Sequence, residues 1–197
     1  GHSGWTSSEM RAAMDEEAAD VCGLKKPGMR LAMRTQGPFD AVVILAGTND
    51  LASEGSPEQI SGSIQLLHAA ARAEGARTVA MAIPESLAAR HVPALAATRA
   101  VANERLAAWA RSQGESVLWV DTGALLPYSE PSAEGGHLWE PDGLHLSQAG
   151  YAALAERLAP KLAPWLLLAP ARAPAAPPPP PSAPPSPPPA AGGRDAE

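Results

Sequence analysis

The sequence predicts an α/β fold in which helices cover both faces of a parallel sheet, and three features of the chain predict it. Three short apolar runs, 40–46, 79–83 and 117–120, are bounded by Gly, Pro or Asp and rich in branched residues. Longer segments with apolar residues at helical spacing lie between them. Each connection is long enough for a helical crossover, and a β-α-β-α-β order of this kind pairs its strands in parallel. In such a sheet the binding site lies beyond the carboxyl ends of the strands.

Composition sets the outer bounds. With 197 residues, 45% of them apolar, the chain can bury one core and leave a tail, with the folded unit over 1–166 and a proline-rich tail over 167–197. The single cysteine, Cys22, rules out an intrachain disulfide framework and a cysteine-rich zinc site. A net charge of -6 with scattered Lys and Arg argues against a nucleic-acid surface. The longest apolar run, 162–169, contains Pro164 and is far shorter than the roughly 20 residues of a membrane helix. The chain begins with Gly1 and enters a patterned segment at once, so a natural product extending further upstream is expected.

The elements follow in order. Thr6 with Glu9 has the form of a capping box, and Met10, Met14, Ala18 and Val21 predict a helix running to Gly23. Residues 25–36 are basic and carry no clear pattern. The run 40–46 predicts a strand buried on both faces, with Gly47-Thr48-Asn49-Asp50 at its carboxyl end. Ser56, Pro57 and Gln59 open the next helix; Ile60, Ile64, Leu67 and Ala71 form its buried face, and Gly75 stops it. After the strand 79–83, which Pro84 ends, a helix over 93–113 carries Leu95, Ala102, Leu106 and Trp109 on one side. Gly114 closes it, and the strand 117–120 ends at Asp121. A long loop with Pro127, Pro131, Gly135 and Gly136 leads to a last helix bearing Tyr151, Leu154 and Leu158, which Pro160 should end or kink. From Pro170 the tail is Ala, Pro and Ser, with an unbroken run Pro177–Pro181 that favours solvated polyproline II. It reads as a disordered end or linker, or as a docking tail for a protein that binds proline-rich segments.

The stretch 137–151 carries the chemistry. Asp142 stands three residues before His145, Pro141 and Gly143 shape a turn, and Ser147 caps the last helix. An Asp that accepts from one imidazole nitrogen fixes the tautomer and frees the other nitrogen to take a proton from a hydroxyl. Ordinary turn chemistry explains the same residues when they stand alone, and Asn49 alone reads as an Asx turn. His137, Glu140, Asp142 and His145 are ligand types that suit zinc, but they lack a fixed spacing such as H-E-x-x-H, so no metal is assigned. His137 and Trp139 are read as lining the mouth of the site or packing on the last helix. His2, His68 and His91 have no partner pattern and are read as surface or edge residues.

Three segments together resemble the SGNH hydrolase superfamily, the GDSL-type esterases and lipases. Gly4 within His2-Ser3-Gly4-Trp5-Thr6-Ser7 is similar to that family's second block, Gly47-Thr48-Asn49-Asp50 to its third, and Asp142-Gly143-Leu144-His145 to its fifth, in the right order over 1–158. The resemblance implies a three-layer α/β/α flavodoxin-like parallel sheet and an ester hydrolase that needs no cofactor. It implies His145 as base, Asp142 as its orienting partner, and an oxyanion hole from the Gly4 backbone N–H and the Asn49 side chain, with Gly47 and Asp50 in support. The implied substrate is a small-molecule ester, an acylated carbohydrate or a lipid ester. The family's first block, Gly-Asp-Ser after a first strand, has no counterpart here. Ser3 matches a backbone-donating loop, and Ser7 and Ser8 read as cap residues, so the nucleophile is expected upstream of this chain. In the family's strand order 2-1-3-4-5 the missing first strand is interior, so the 40–46 strand is expected to have an open edge. The alternative reading is a non-catalytic binding or interaction module on the same fold.

Overall fold

The computed structural model describes residues 2–53, 55–129 and 138–168. The chain opens with α1 (Ser7–Ala12), where Thr6 and Glu9 form the expected capping box. An antiparallel hairpin, β1 (Glu17–Ala19) and β2 (Lys25–Pro27), precedes α2 (Met29–Gln36). Next, β3 (Ala41–Ile44) leads through α3 (Thr48–Ala52) into α4 (Pro57–Ala73), whose Ser56/Gln59 capping box is also present. Then come β4 (Arg77–Met81), α5 (Leu87–His91), α6 (Pro93–Ser112) and β5 (Val117–Val120). The short α7 (Thr122–Leu125) and the long α8 (Gln148–Leu167) complete the described chain.

The architecture is the three-layer α/β/α arrangement that the sequence predicts. The central strands are parallel in the order β3-β4-β5, with Val43 opposite Val79 and Val79 opposite Leu118. Alternation along each strand sends successive side chains to opposite faces. On one face Ile44 joins Ile60, Ile64 and Leu67 of α4 and Ala102 and Leu106 of α6. On the other, Val79, Met81 and Val120 lie under Leu154, Leu158 and Trp165 of α8. The parallel strands end at Ile44, Met81 and Val120, so the segments after them gather at one edge of the sheet.

Four expectations are corrected. The helix predicted to reach Gly23 stops at Ala12: Val21 is 71% exposed, and Ala18 lies in the hairpin. Just past the helix Met14 O accepts from Arg30 and Leu31 N–H at the start of α2 rather than from a further turn, and beyond it the Asp20 side chain accepts from the N–H groups of Cys22 and Leu24 and shapes the hairpin turn. The strand 40–46 is buried on one face only: α8 covers β4 and β5, while Val43 and Leu45 are 45% and 39% exposed. Pro160 does not end α8, which continues through Pro160 and Pro164 to Leu167. Trp165 secures the extra turns, since it is buried, donates from Nε1 to Glu115 O and has the Arg77 guanidinium 3.8 Å above its ring. His68, read as a surface or edge residue, is fully buried. Of the predicted tail 167–197, Leu167 closes α8 and Leu168 is its cap, and the rest, with Pro131, Gly135, Gly136 and His137, lies outside the described residues. Among the described residues no helix is long and apolar enough to cross a membrane.

Candidate active site

The Asp142–His145 turn is built by its own backbone and held from below. Gly143 N–H donates to Glu140 O and Glu140 N–H to His145 O, while Trp139 bridges Leu146 as an isolated antiparallel pair. Gly143 has φ +64, and a Cβ there would stand 2.5 Å from Leu87 Cβ and 2.8 Å from the Tyr128 hydroxyl, so only glycine fits. Its carbonyl accepts from Leu87 N–H at 2.8 Å, which ties the turn to the start of α5. At the other end Ser147 caps α8 through Gly150 N–H.

Within this frame Asp142 addresses His145 with both oxygens. Oδ2 lies 2.6 Å from His145 Nδ1, and Oδ1 accepts from the backbone N–H groups of Leu144 and His145 at 2.8 and 3.0 Å. These bonds, the imidazole first, hold the Asp142 carboxyl at about 2, below the usual carboxylate range. The carboxylate is therefore charged at neutral pH and accepts from Nδ1–H, which leaves Nε2 as the ring nitrogen free for a second partner. Among the described residues no hydroxyl is hydrogen-bonded to Nε2.

The loop 2–5 and the end of β3 are laced together. Asn49 Nδ2 donates to Trp5 O at 2.9 Å and so retains one N–H of its amide. Next to it the buried Asp50 accepts from Ser7 N–H at 2.9 Å and from Ser7 Oγ at 2.5 Å. Gly47, at φ +110, turns the chain from β3 into α3; a Cβ there would meet Ile83 Cδ1 at 2.6 Å. Gly4, at φ +76, has no partner for its N–H among the described residues.

One cleft of roughly 570 Å³ collects these parts: Gly4, Gly47, Asn49 and His145 all line it, and Asp142 stands behind His145. Asp50 is the exception among the predicted residues, being turned away toward Ser7. Of the candidate serines only Ser3 lines the cleft; Ser7 is committed to Asp50, and the Ser8 hydroxyl lies 3.1 Å from that of Thr6. Sequence reasoning missed His2, whose ring stacks on Trp5 at 4.1 Å in the cleft wall, and Val21, which reaches the cleft from the β1–β2 turn. No local signal could have placed either, because both arrive through contacts of the hairpin with the loop 2–5. Among the described residues no group of three His, Cys, Asp or Glu side chains is placed to hold a metal.

The sequence model of the GDSL-like lipase/acylhydrolase family matches residues 1–153. No curated protein matches the chain. Solved structures of the same fold include a carbohydrate esterase family 3 protein from Talaromyces cellulolyticus, 19% identical over 85% of this chain and 70% of that one, with TM-score 0.57. A mutant acetyl esterase holding an acetate ion is 20% identical over 85% and 70% of the two chains, with TM-score 0.58. A GDSL-like lipase from Bacteroides thetaiotaomicron is 20% identical over 81% and 72%, with TM-score 0.54. At these identities the likeness establishes the fold.

Proposed function

The chain belongs to the GDSL-like lipase/acylhydrolase family, and from that premise we propose that its cleft is the site of a serine esterase acting on carboxylic esters. The observation that carries the reading is the 2.6 Å contact between Asp142 and His145 Nδ1 in a cleft that also presents the unpartnered Gly4 N–H and the Asn49 amide. In this reading a serine hydroxyl attacks the ester carbonyl as His145 Nε2 takes its proton. The tetrahedral oxyanion rests on Gly4 N–H and Asn49 Nδ2, a donor of this kind lowering the barrier by about 3 kcal/mol. Collapse expels the alcohol, which receives the proton from His145. Water, deprotonated by the same imidazole, then releases the acid. Gly47 and Asp50 support the donors by turning the chain and fastening it. No cofactor takes part.

The nucleophile is assigned to a segment preceding Gly1 in the full-length protein. Three features support this: among the described residues His145 Nε2 has no hydroxyl partner, the outer edge of β3 is unpaired, and Val43 and Leu45 are exposed on the face of β3 that α8 leaves uncovered. A strand paired to that edge, with the segment after it packed on the apolar face, would end beside the cleft. The absence of a hydroxyl on Nε2 also favours the second reading, a non-catalytic module that binds a ligand in the same cleft.

Hydrolysis of p-nitrophenyl acetate by the full-length protein and by residues 1–197, with labelling by a serine-directed phosphonate, tests the assignment. The expected label is on a serine outside the 197 residues, with His145→Ala lowering kcat by about 10³ or more. A label on Ser3 overturns the upstream assignment. No turnover and no label in either protein overturns the esterase reading and leaves the binding module.

A further inference from the structure

We propose that Asp20 is a positioning residue for the Gly4 N–H, acting through Ser3, so that the β1–β2 turn is part of the working apparatus of the cleft. The inference rests on the reading of Gly4 as an oxyanion donor. It starts from a carboxylate with a full set of donors in an otherwise exposed hairpin. Asp20 is 5% exposed, and its two oxygens divide the work. Oδ1 accepts from Cys22 N–H at 3.0 Å and Leu24 N–H at 3.1 Å, which shapes the turn. Oδ2 accepts from Ser3 N–H at 3.3 Å and Lys26 Nζ at 2.8 Å, which reaches across to the cleft loop.

Neighbouring contacts reinforce the same join. Val21 N–H donates to Ser3 O at 3.3 Å, so Ser3 is held on both sides of its backbone. The Val21 methyls stand 2.7 and 2.8 Å from where a Cβ of Gly4 would be, and they form part of the cleft wall. From the far side Asn49 holds Trp5 O. The peptide that carries the Gly4 N–H thus lies between two anchors, and Asp20 is the charged one. Asp20 itself meets neither cleft nor substrate, because Ser3 intervenes.

The isosteric variant Asp20→Asn is diagnostic because an amide has only one acceptor oxygen. If that oxygen serves Cys22 and Leu24, the NH2 group faces the Ser3 N–H and the Lys26 ammonium, donor against donor. If the amide flips, the turn loses its acceptor instead. Either way the lash between turn and loop fails without a change in side-chain size.

The test is amide hydrogen exchange and acetate titration by NMR on residues 1–197, comparing wild type with Asp20→Asn and Asp20→Ala. Exchange at Ser3 and Val21, whose N–H groups donate to Asp20 Oδ2 and to Ser3 O, is expected to rise about tenfold in both variants, the loss of roughly one hydrogen bond's restraint. The acetate affinity read from the Gly4 amide is expected to fall, while the His145 Nδ1 proton resonance keeps its position. Lys26→Met serves as a second variant that leaves the carboxylate in place, and an intermediate rise in Ser3 and Val21 exchange is expected from it. Exchange at Ser3 and Val21 within twofold of wild type in all three variants would overturn the proposal. So would a rise spread uniformly over the whole chain, since that reports only a less stable fold. Faster exchange at Ser3 and Val21 with unchanged acetate affinity at Gly4 overturns the positioning role.

Discussion

Gly150→Ala separates packing from helix propensity, because the two predict opposite signs. Gly150 sits in the first turn of α8 and is buried. A Cβ there would stand 1.9 Å from Leu138 O and 2.9 Å from its carbonyl carbon. An ordinary carbon–oxygen contact is about 3.3 Å, so the loop must retreat by about 1.4 Å. It has little room to do so, since Leu138 O also accepts from Ser147 N–H at 3.0 Å and the adjacent Trp139 is 2% exposed. Overpacking of this kind costs about 3 kcal/mol, and the strained Ser147 bond adds about 1. Better helix propensity returns about 1 kcal/mol, which leaves a net loss of roughly 3 kcal/mol. In a chain of this length that lowers Tm by about 6–12 °C. Thermal and urea unfolding followed by circular dichroism measure it, and the His145 Nδ1 proton resonance should broaden as the turn that carries the pair shifts. A variant as stable as wild type, or one stabilised by about 1 kcal/mol as propensity alone requires, would refute the reasoning.

Two further predictions concern the core and a cap. His68 is fully buried with neither ring nitrogen hydrogen-bonded, and burial, then the nearby Arg72, pushes its imidazole down to about 4. Its folded-state value lies below the unfolded one, so the unfolded chain binds the extra proton between about pH 6.5 and 4; stability is complete above that window and falls by about 3 kcal/mol as pH drops through it. Urea midpoints from pH 7.5 to 4 should show this slope in wild type and a flatter one in His68→Leu; equal slopes would exclude His68 as the cause. Ser56→Ala removes one half of the capping box on α4, where Ser56 Oγ accepts from Gln59 N–H and Gln59 Oε1 from Ser56 N–H. It should cost about 1 kcal/mol in the urea midpoint with the m-value unchanged, and a cost below about 0.3 kcal/mol would show that water replaces the cap freely.

The parts of the fold that the sequence made legible share one property: their determinants lie within a few residues of one another. Both predicted capping boxes form, β3 and β5 lie within the runs that predict them, and β4 overlaps its run but begins and ends two residues earlier. The contact between Asp142 and His145 spans only three residues, so a motif could show it. The misread segments were decided at longer range. Met10 and Met14 do face the core, but the period they suggest breaks after Ala12, and the hairpin that follows is organised by Asp20, whose carboxylate gathers donors from Ser3 to Lys26. α8 runs past two prolines because Trp165 finds its partner at Glu115, 50 residues away.

The same distinction explains why a cleft that each motif left ambiguous becomes specific in three dimensions. Asn49 alone is compatible with an Asx turn, and Asp142-Gly143 with an ordinary turn. What separates the functional arrangement from those is where the remaining hydrogen-bonding capacity points. Asn49 gives one N–H to Trp5, 44 residues away, and keeps one. His145 gives Nδ1 to Asp142 and keeps Nε2. Gly4 keeps its N–H, on a loop fastened by Asp20 on one side and Asn49 on the other. An unpaired polar group costs stability unless water or a ligand satisfies it. A structural turn would spend these groups on its own backbone, whereas here the three residues that keep them line one cleft, and under the proposed reading a substrate carbonyl with its attacking hydroxyl uses all three.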